Sequence, residues 1–139
     1  MPILALHGAY SASDEIRNVF EPILAPLDAQ RRIYPDLLGM GDSPPHDAIQ
    51  TTRDIIDLLD EFIQTEIGDA PFLLAGHSYG GHLARGLAAR RSGQIVGLEL
   101  ICPSVPATMN AEPRVVVSEG CALRRKGTPP EYLGCRSST

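Results

Sequence analysis

The chain has no tryptophan, and only three phenylalanines and four tyrosines among its 139 residues. No apolar run approaches the roughly 20 residues that cross a bilayer, and the N-terminus lacks the basic start and long apolar middle of a secretion signal. The expectation is a soluble cytoplasmic protein with no membrane partner. Basic residues form no long tract beyond Arg124-Arg125-Lys126, and the net charge is −5, which argues against nucleic acid as a partner. The three cysteines, Cys102, Cys121 and Cys135, show no CxxC or metal-ligand spacing, and an odd number closes no disulfide set. They read as free thiols, and no spacing implies a metal or an organic cofactor. Two further absences bear on chemistry: no histidine follows His82, and no aspartate follows Asp69.

What is present is an ordinary globular composition, 43% hydrophobic and 21% charged, in a length that suits one domain. The segment "PILALHG" is a short apolar run closed by glycine. Ser13-Asp14-Glu15 then offers a helix cap with acidic residues in the first turn. Pro22 and Pro26 fall inside that helical pattern and predict a broken or short helix. "RRIYPDLLGMGDSPP" reads as a brief strand entering a tight Gly/Pro/Asp loop. Thr51 or Thr52 caps the clearest helix, whose apolar face is Ile55, Leu58, Leu59, Phe62, Ile63 and Ile67, with Gly68 as its stop. "PFLLAG" is the next strand, Tyr79 to Arg91 the next helix, and "QIVGLELIC" a strand apolar on both faces. Strands alternating with helices predict an α/β fold, a three-layer sandwich around a parallel sheet. The rhythm stops after Pro103. Residues 1–112 are expected to form the core and residues 113–139 an irregular tail, with "RVVVS" as one candidate strand.

Gly76-His77-Ser78-Tyr79-Gly80 lies between the apolar strand and the helix. A serine hydroxyl is a poor nucleophile unless it is held exposed and near a base. A cramped strand-to-helix turn, with small neighbours, supplies the exposure. The helix that starts there aims free N–H groups at the same place. His7-Gly8-Ala9 leaves the end of the first strand, and a parallel neighbour would bring a second backbone donor to the serine. His7 itself reads as a buried structural histidine.

"LALHGAY", "YPDLLGMGDSP" and "LLAGHSYGG" occur in this order, and together they make residues 2 to 102 resemble the α/β-hydrolases: an oxyanion loop, a D-x-x-G-x-G-x-S loop and a nucleophile elbow. The resemblance implies Ser78 as the nucleophile, with the amides of Ala9 and Tyr79 as the oxyanion hole. It implies that Asp36, Gly39, Gly41 and Ser43 shape a loop rather than act on a substrate. The expected activity is hydrolysis of small esters, thioesters or amides through an acyl-enzyme, with a small molecule as the partner. A serine at the elbow, rather than an aspartate, argues against dehalogenation.

In that family the triad runs serine, acid, histidine. Here His7, His46, His77 and His82 all precede or closely follow the serine, and Glu99, Glu112, Glu119 and Glu131 are the only later carboxylates. His82 stands one helical turn past Ser78 and is expected to point away from it. His77 reads as packing, His46 as a solvated loop residue, and Glu99 as a strand residue satisfied by a neighbour. The triad acid and base are therefore not assigned. The family's strand order would leave residues 95–101 at a sheet edge, although they carry little of the charge or proline that protects one. Later strands of the same protein would cover it, and so would a second copy of the chain. This suggests a C-terminally incomplete hydrolase: a short form, a gene fragment, or a chain whose reading frame shifts near Pro113. The competing function is a catalytically incomplete module that binds a small molecule or dimerises through its last strand.

Overall fold

The computed structural model describes residues 1–26 and 30–104. The elements are β1 (Ile3–Leu6), α1 (Ser13–Leu24), β2 (Arg32–Ile33), α2 (Thr52–Glu66), β3 (Phe72–His77), α3 (Tyr79–Arg90) and β4 (Ile95–Ile101). All strand pairs are parallel, in the expected order β2-β1-β3-β4, so that among the described residues β4 lies at an edge. "RVVVS" and the expected tail lie outside the described residues. Among those described, no helix is long and apolar enough to cross a membrane.

Alternation along the strands divides the core in two. Leu4, Leu6 and Leu74 pack with Leu59 and Ile63 of α2 and Leu83 and Leu87 of α3. Ile3, Ala5 and Ala75 pack with Ile16, Phe20 and Leu24 of α1. The result is the expected three-layer arrangement, with one helix on one face and two on the other. β1 is buried along its whole length, which is why it is a continuous apolar run.

The helix ends show where local signals hold. Thr51 caps α2 through its hydroxyl to the Asp54 amide, and the Asp54 carboxylate returns to the Thr51 amide, a reciprocal pair that satisfies two otherwise orphaned donors. Gly68, at φ +66°, then stops the helix. At α1 the local signal fails. The cap is Ala12, which offers no side-chain bond. The Ser13 amide instead donates to Asp36 Oδ1 at 2.7 Å, a carboxylate brought from the loop after β2. Pro22 does not break α1, which continues to Leu24. A proline there costs the bond to a carbonyl one turn earlier, and the burial of Phe20 and Leu24 against the sheet offsets it.

Glu99 is a correction to the sequence reading. It lies exposed on β4 and makes no ion pair among the described residues. The strand therefore does carry one solvated charge, three residues along from the exposed Val96.

Candidate functional site at the carboxyl rim of the sheet

Three segments meet where β1 and β3 end. The first is His7-Gly8-Ala9. His7 is fully buried, and its ring accepts a hydrogen bond from the Leu37 amide at Nε2, 2.9 Å. An amide can only donate, so Nε2 is unprotonated and Nδ1 carries the hydrogen, which it gives to the Gly8 carbonyl at 2.7 Å. Both nitrogens are thus committed to the backbone. His7 ties the loop after β1 to the loop after β2 and is a structural residue.

The second segment is the loop holding Asp36. Its carboxylate receives the Ser13 and Asp42 amides. These bonds, from Asp42 first and then Ser13, hold its carboxyl below the usual carboxylate range. Gly41 sits at φ +56°, and a Cβ there would fall 2.4 Å from the Asp36 side chain. Only glycine lets the loop close over this carboxylate.

The third segment is the turn at Ser78, with φ +50° and ψ −112°. Such a backbone is rare for a residue with a side chain and costs about 1–3 kcal/mol. Its neighbours enforce it. The Ser78 amide donates to the Ile101 carbonyl at 3.0 Å, and the Ser78 carbonyl accepts from the Ser104 and His82 amides at 2.9 and 3.1 Å. A Cβ at Gly76 would stand 2.4 Å from the Gly80 carbonyl oxygen, and one at Gly80 would stand 2.3 Å from the Leu6 carbonyl oxygen. The two glycines therefore let the start of α3 touch the ends of both central strands. Gly8 lies against the turn, its notional Cβ 3.5 Å from Ser78 Cβ.

Ser78 is half-buried, and Ala9 is exposed on the adjoining loop. Tyr79 opens α3, so its amide has no partner within the helix. Among the described residues, neither the Ala9 nor the Tyr79 amide donates to another protein group.

The four histidines divide differently from their order in the chain. His82 turns toward the groove between α2 and α3, its ring stacked on Tyr79 with centroids 6.4 Å apart. Burial, and then the nearby Arg85, push its imidazole below the ordinary value and favour the neutral form. His46 is exposed and accepts the Ala48 amide within its own loop. His77 is more than packing: its Nδ1 lies 3.2 Å from Glu15 Oε1 in the first turn of α1. The other Glu15 oxygen is buried without a hydrogen-bond partner. Sequence reasoning passed over this pair, because Glu15 appeared there only as a first-turn acid. β-strand alternation sends residue 77 to the α1 face with Ala75, so the pair sits beneath the Gly8 loop rather than in front of Ser78.

A family model described as the alpha/beta hydrolase family matches residues 3–135. The match runs beyond residue 102, where the resemblance read from the three motifs ends, and includes most of the segment expected to be an irregular or frame-shifted tail. The chain is 33% identical over 136 residues to a protein named probable lysophospholipase BODYGUARD 3 of Arabidopsis thaliana, covering 95% of this chain and 27% of that protein. It is 38% identical over 97 residues to a haloalkane dehalogenase of Mesorhizobium japonicum, covering 69% of this chain and 30% of the relative. Among solved structures, an alpha/beta superfamily hydrolase of Oenococcus oeni superposes with a TM-score of 0.71 at 39% identity, over 76% of this chain and 39% of the other. The chain spans little more than a quarter of the length of the curated relatives it matches.

Proposed function

Because the chain belongs to the alpha/beta hydrolase family, we propose that Ser78 is the nucleophile of a serine hydrolase acting on small esters, thioesters or amides, in a protein of the cytoplasm. The observation that carries this reading is the backbone of Ser78, held at φ +50° between a buried strand and a helix start. Strain of this kind persists only where the surroundings over-determine it, and it concentrates at sites of chemistry.

In the proposed reaction, Ser78 Oγ bonds to the acyl carbon as its proton passes to a base, and the carbonyl oxygen gains negative charge. The amides of Ala9 and Tyr79 are the donors that would receive that charge, and one such donor is worth about 10²–10³ in rate. Collapse of the intermediate expels the alcohol, thiol or amine, and water then hydrolyses the acyl-enzyme. The acid and base come from outside the three motifs. Without them, oxyanion stabilisation and binding would leave roughly 10³–10⁴-fold acceleration over water. A serine at the elbow favours acyl transfer over the dehalogenation named for one relative, since a serine oxygen that displaced halide from an alkyl carbon would form an alkyl ether, which water does not readily cleave.

Labelling with a fluorophosphonate probe tests the assignment. The expected result is one adduct on Ser78 that Ser78→Ala abolishes while the fold persists. Labelling that survives the substitution, or that occurs on another residue, rejects Ser78 as the nucleophile. A second reading, a binding or dimerising module without turnover, is favoured by one observation: among the described residues β4 is an edge strand, and its Val96 is 44% exposed. Sedimentation of the chain and of Val96→Lys distinguishes it, because a dimer built through β4 would dissociate on the substitution.

A further inference from the structure

A groove of about 330 Å³ runs between α2 and α3, at the low end of the volumes that hold small molecules. Ile56, Gly86 and Ala89 give it apolar surface, and Arg53 and Arg85 give it positive charge. The arginines elsewhere show how unusual this is. Arg31, Arg32, Arg90 and Arg91 are each matched by a carboxylate, Glu66, Glu21, Asp57 and Asp60, and Arg17 lies over the Tyr34 ring, 5.4 Å from its centroid. Arg90 also lines the groove, but its charge is answered by Asp57 of α2. Arg53 and Arg85 have no ion-pair or hydrogen-bond partner among the described residues.

Their surroundings add positive potential. Arg53 stands in the first turn of α2, at the positive end of the helix dipole. The neighbouring Asp54 is already engaged by the Gln50 and Thr51 amides. His82, which also lines the groove, is pushed toward its neutral form by burial and then by Arg85, so the groove's positive charge is that of the arginines. In a chain of net charge −5, two unanswered cations beside an apolar surface match a ligand that is anionic at one end and apolar along its length.

We propose that this groove binds a single-chain anionic amphiphile, a medium-length fatty carboxylate, with the headgroup between Arg53 and Arg85 and the alkyl chain along Ile56, Gly86 and Ala89. The site is separate from Ser78 and does not depend on its role.

Calorimetric titration of the full chain with octanoate, octan-1-ol and inorganic phosphate tests this. Octanoate is expected to bind one to one. Octanol, which lacks the charge, and phosphate, which lacks the chain, should each bind about tenfold more weakly or less, the scale that two partly exposed charge contacts supply. Arg53→Gln/Arg85→Gln should reduce octanoate to the level of octanol, and Ser78→Ala should leave binding unchanged. Modification by phenylglyoxal gives a measurement that needs no variant: octanoate should slow reaction at Arg53 and Arg85 but not at Arg17. Equal binding of octanoate and octanol, an unaffected double variant, or no selective protection overturns the proposal.

Discussion

Gly80→Ala is the substitution for which the structure gives the sharpest expectation. The new methyl would stand 2.3 Å from the Leu6 carbonyl oxygen and 2.5 Å from that of His7. An ordinary contact begins at 3.4 Å, so α3 would have to retreat from β1 by about 1.1 Å, the difference of the first and last values. Both obstacles are backbone, and no rotamer change relieves them. Overpacking costs about 1–3 kcal/mol, and an immovable neighbour puts this case at the upper end. Alanine recovers about 1 kcal/mol as the better helix former, leaving a net loss of about 2 kcal/mol. With a urea m-value near 2 kcal/mol/M, the midpoint should fall by about 1 M. Gly86→Ala is the control: its methyl would meet Ile56 Cδ1 at 2.5 Å, the tip of a side chain that can rotate away, so stability should change by less than about 1 kcal/mol. The retreat of α3 should also slow fluorophosphonate labelling of Ser78. Equal midpoints for the two variants would refute the claim that α3 is seated by contact between Gly80 and the end of β1.

Other substitutions probe the loops around the site. His7→Phe orphans the buried Leu37 amide and the Gly8 carbonyl, at about 1–3 kcal/mol each; thermal unfolding should show a loss of at least about 2 kcal/mol, and an unchanged midpoint would refute the structural role. Asp36 titrates below its ordinary value of 3.8 when folded, so the stability it contributes is present above that value and lost as pH falls through the folded pKa. Urea midpoints taken between pH 5 and pH 2.5 should therefore decline less steeply for Asp36→Asn than for the unaltered chain, and parallel declines would remove Asp36 from the account.

Much of the fold was legible because its signals are local. The apolar runs of β1 and β3, the periodic face of α2, its threonine cap, which the structure places at Thr51 of the two candidates, and its Gly68 stop need only neighbours in sequence to act. The strand-to-helix turn at Ser78 was legible for the same reason, since glycines at positions 76 and 80 around a serine describe one turn. The strand order followed from the family resemblance, and the structure agrees with it. The chemical roles of Ser78, Ala9 and Tyr79 rest on the labelling experiment.

Where the reading fell short, the deciding partner was distant in the chain. Ser13 was the natural cap of α1, yet Asp36, 23 residues on, holds its amide. Pro22 predicted a break, yet α1 continues because Phe20 and Leu24 are buried against the sheet. The His77–Glu15 pair and the groove between Arg53 and Arg85 exist only once α1 lies beneath β3 and α2 beside α3. Local sequence set which elements form and where the chain turns, through dihedral preference and apolar periodicity. Tertiary packing decided which donor meets which acceptor and which cations lack a partner, because these depend on distances that sequence spacing does not encode.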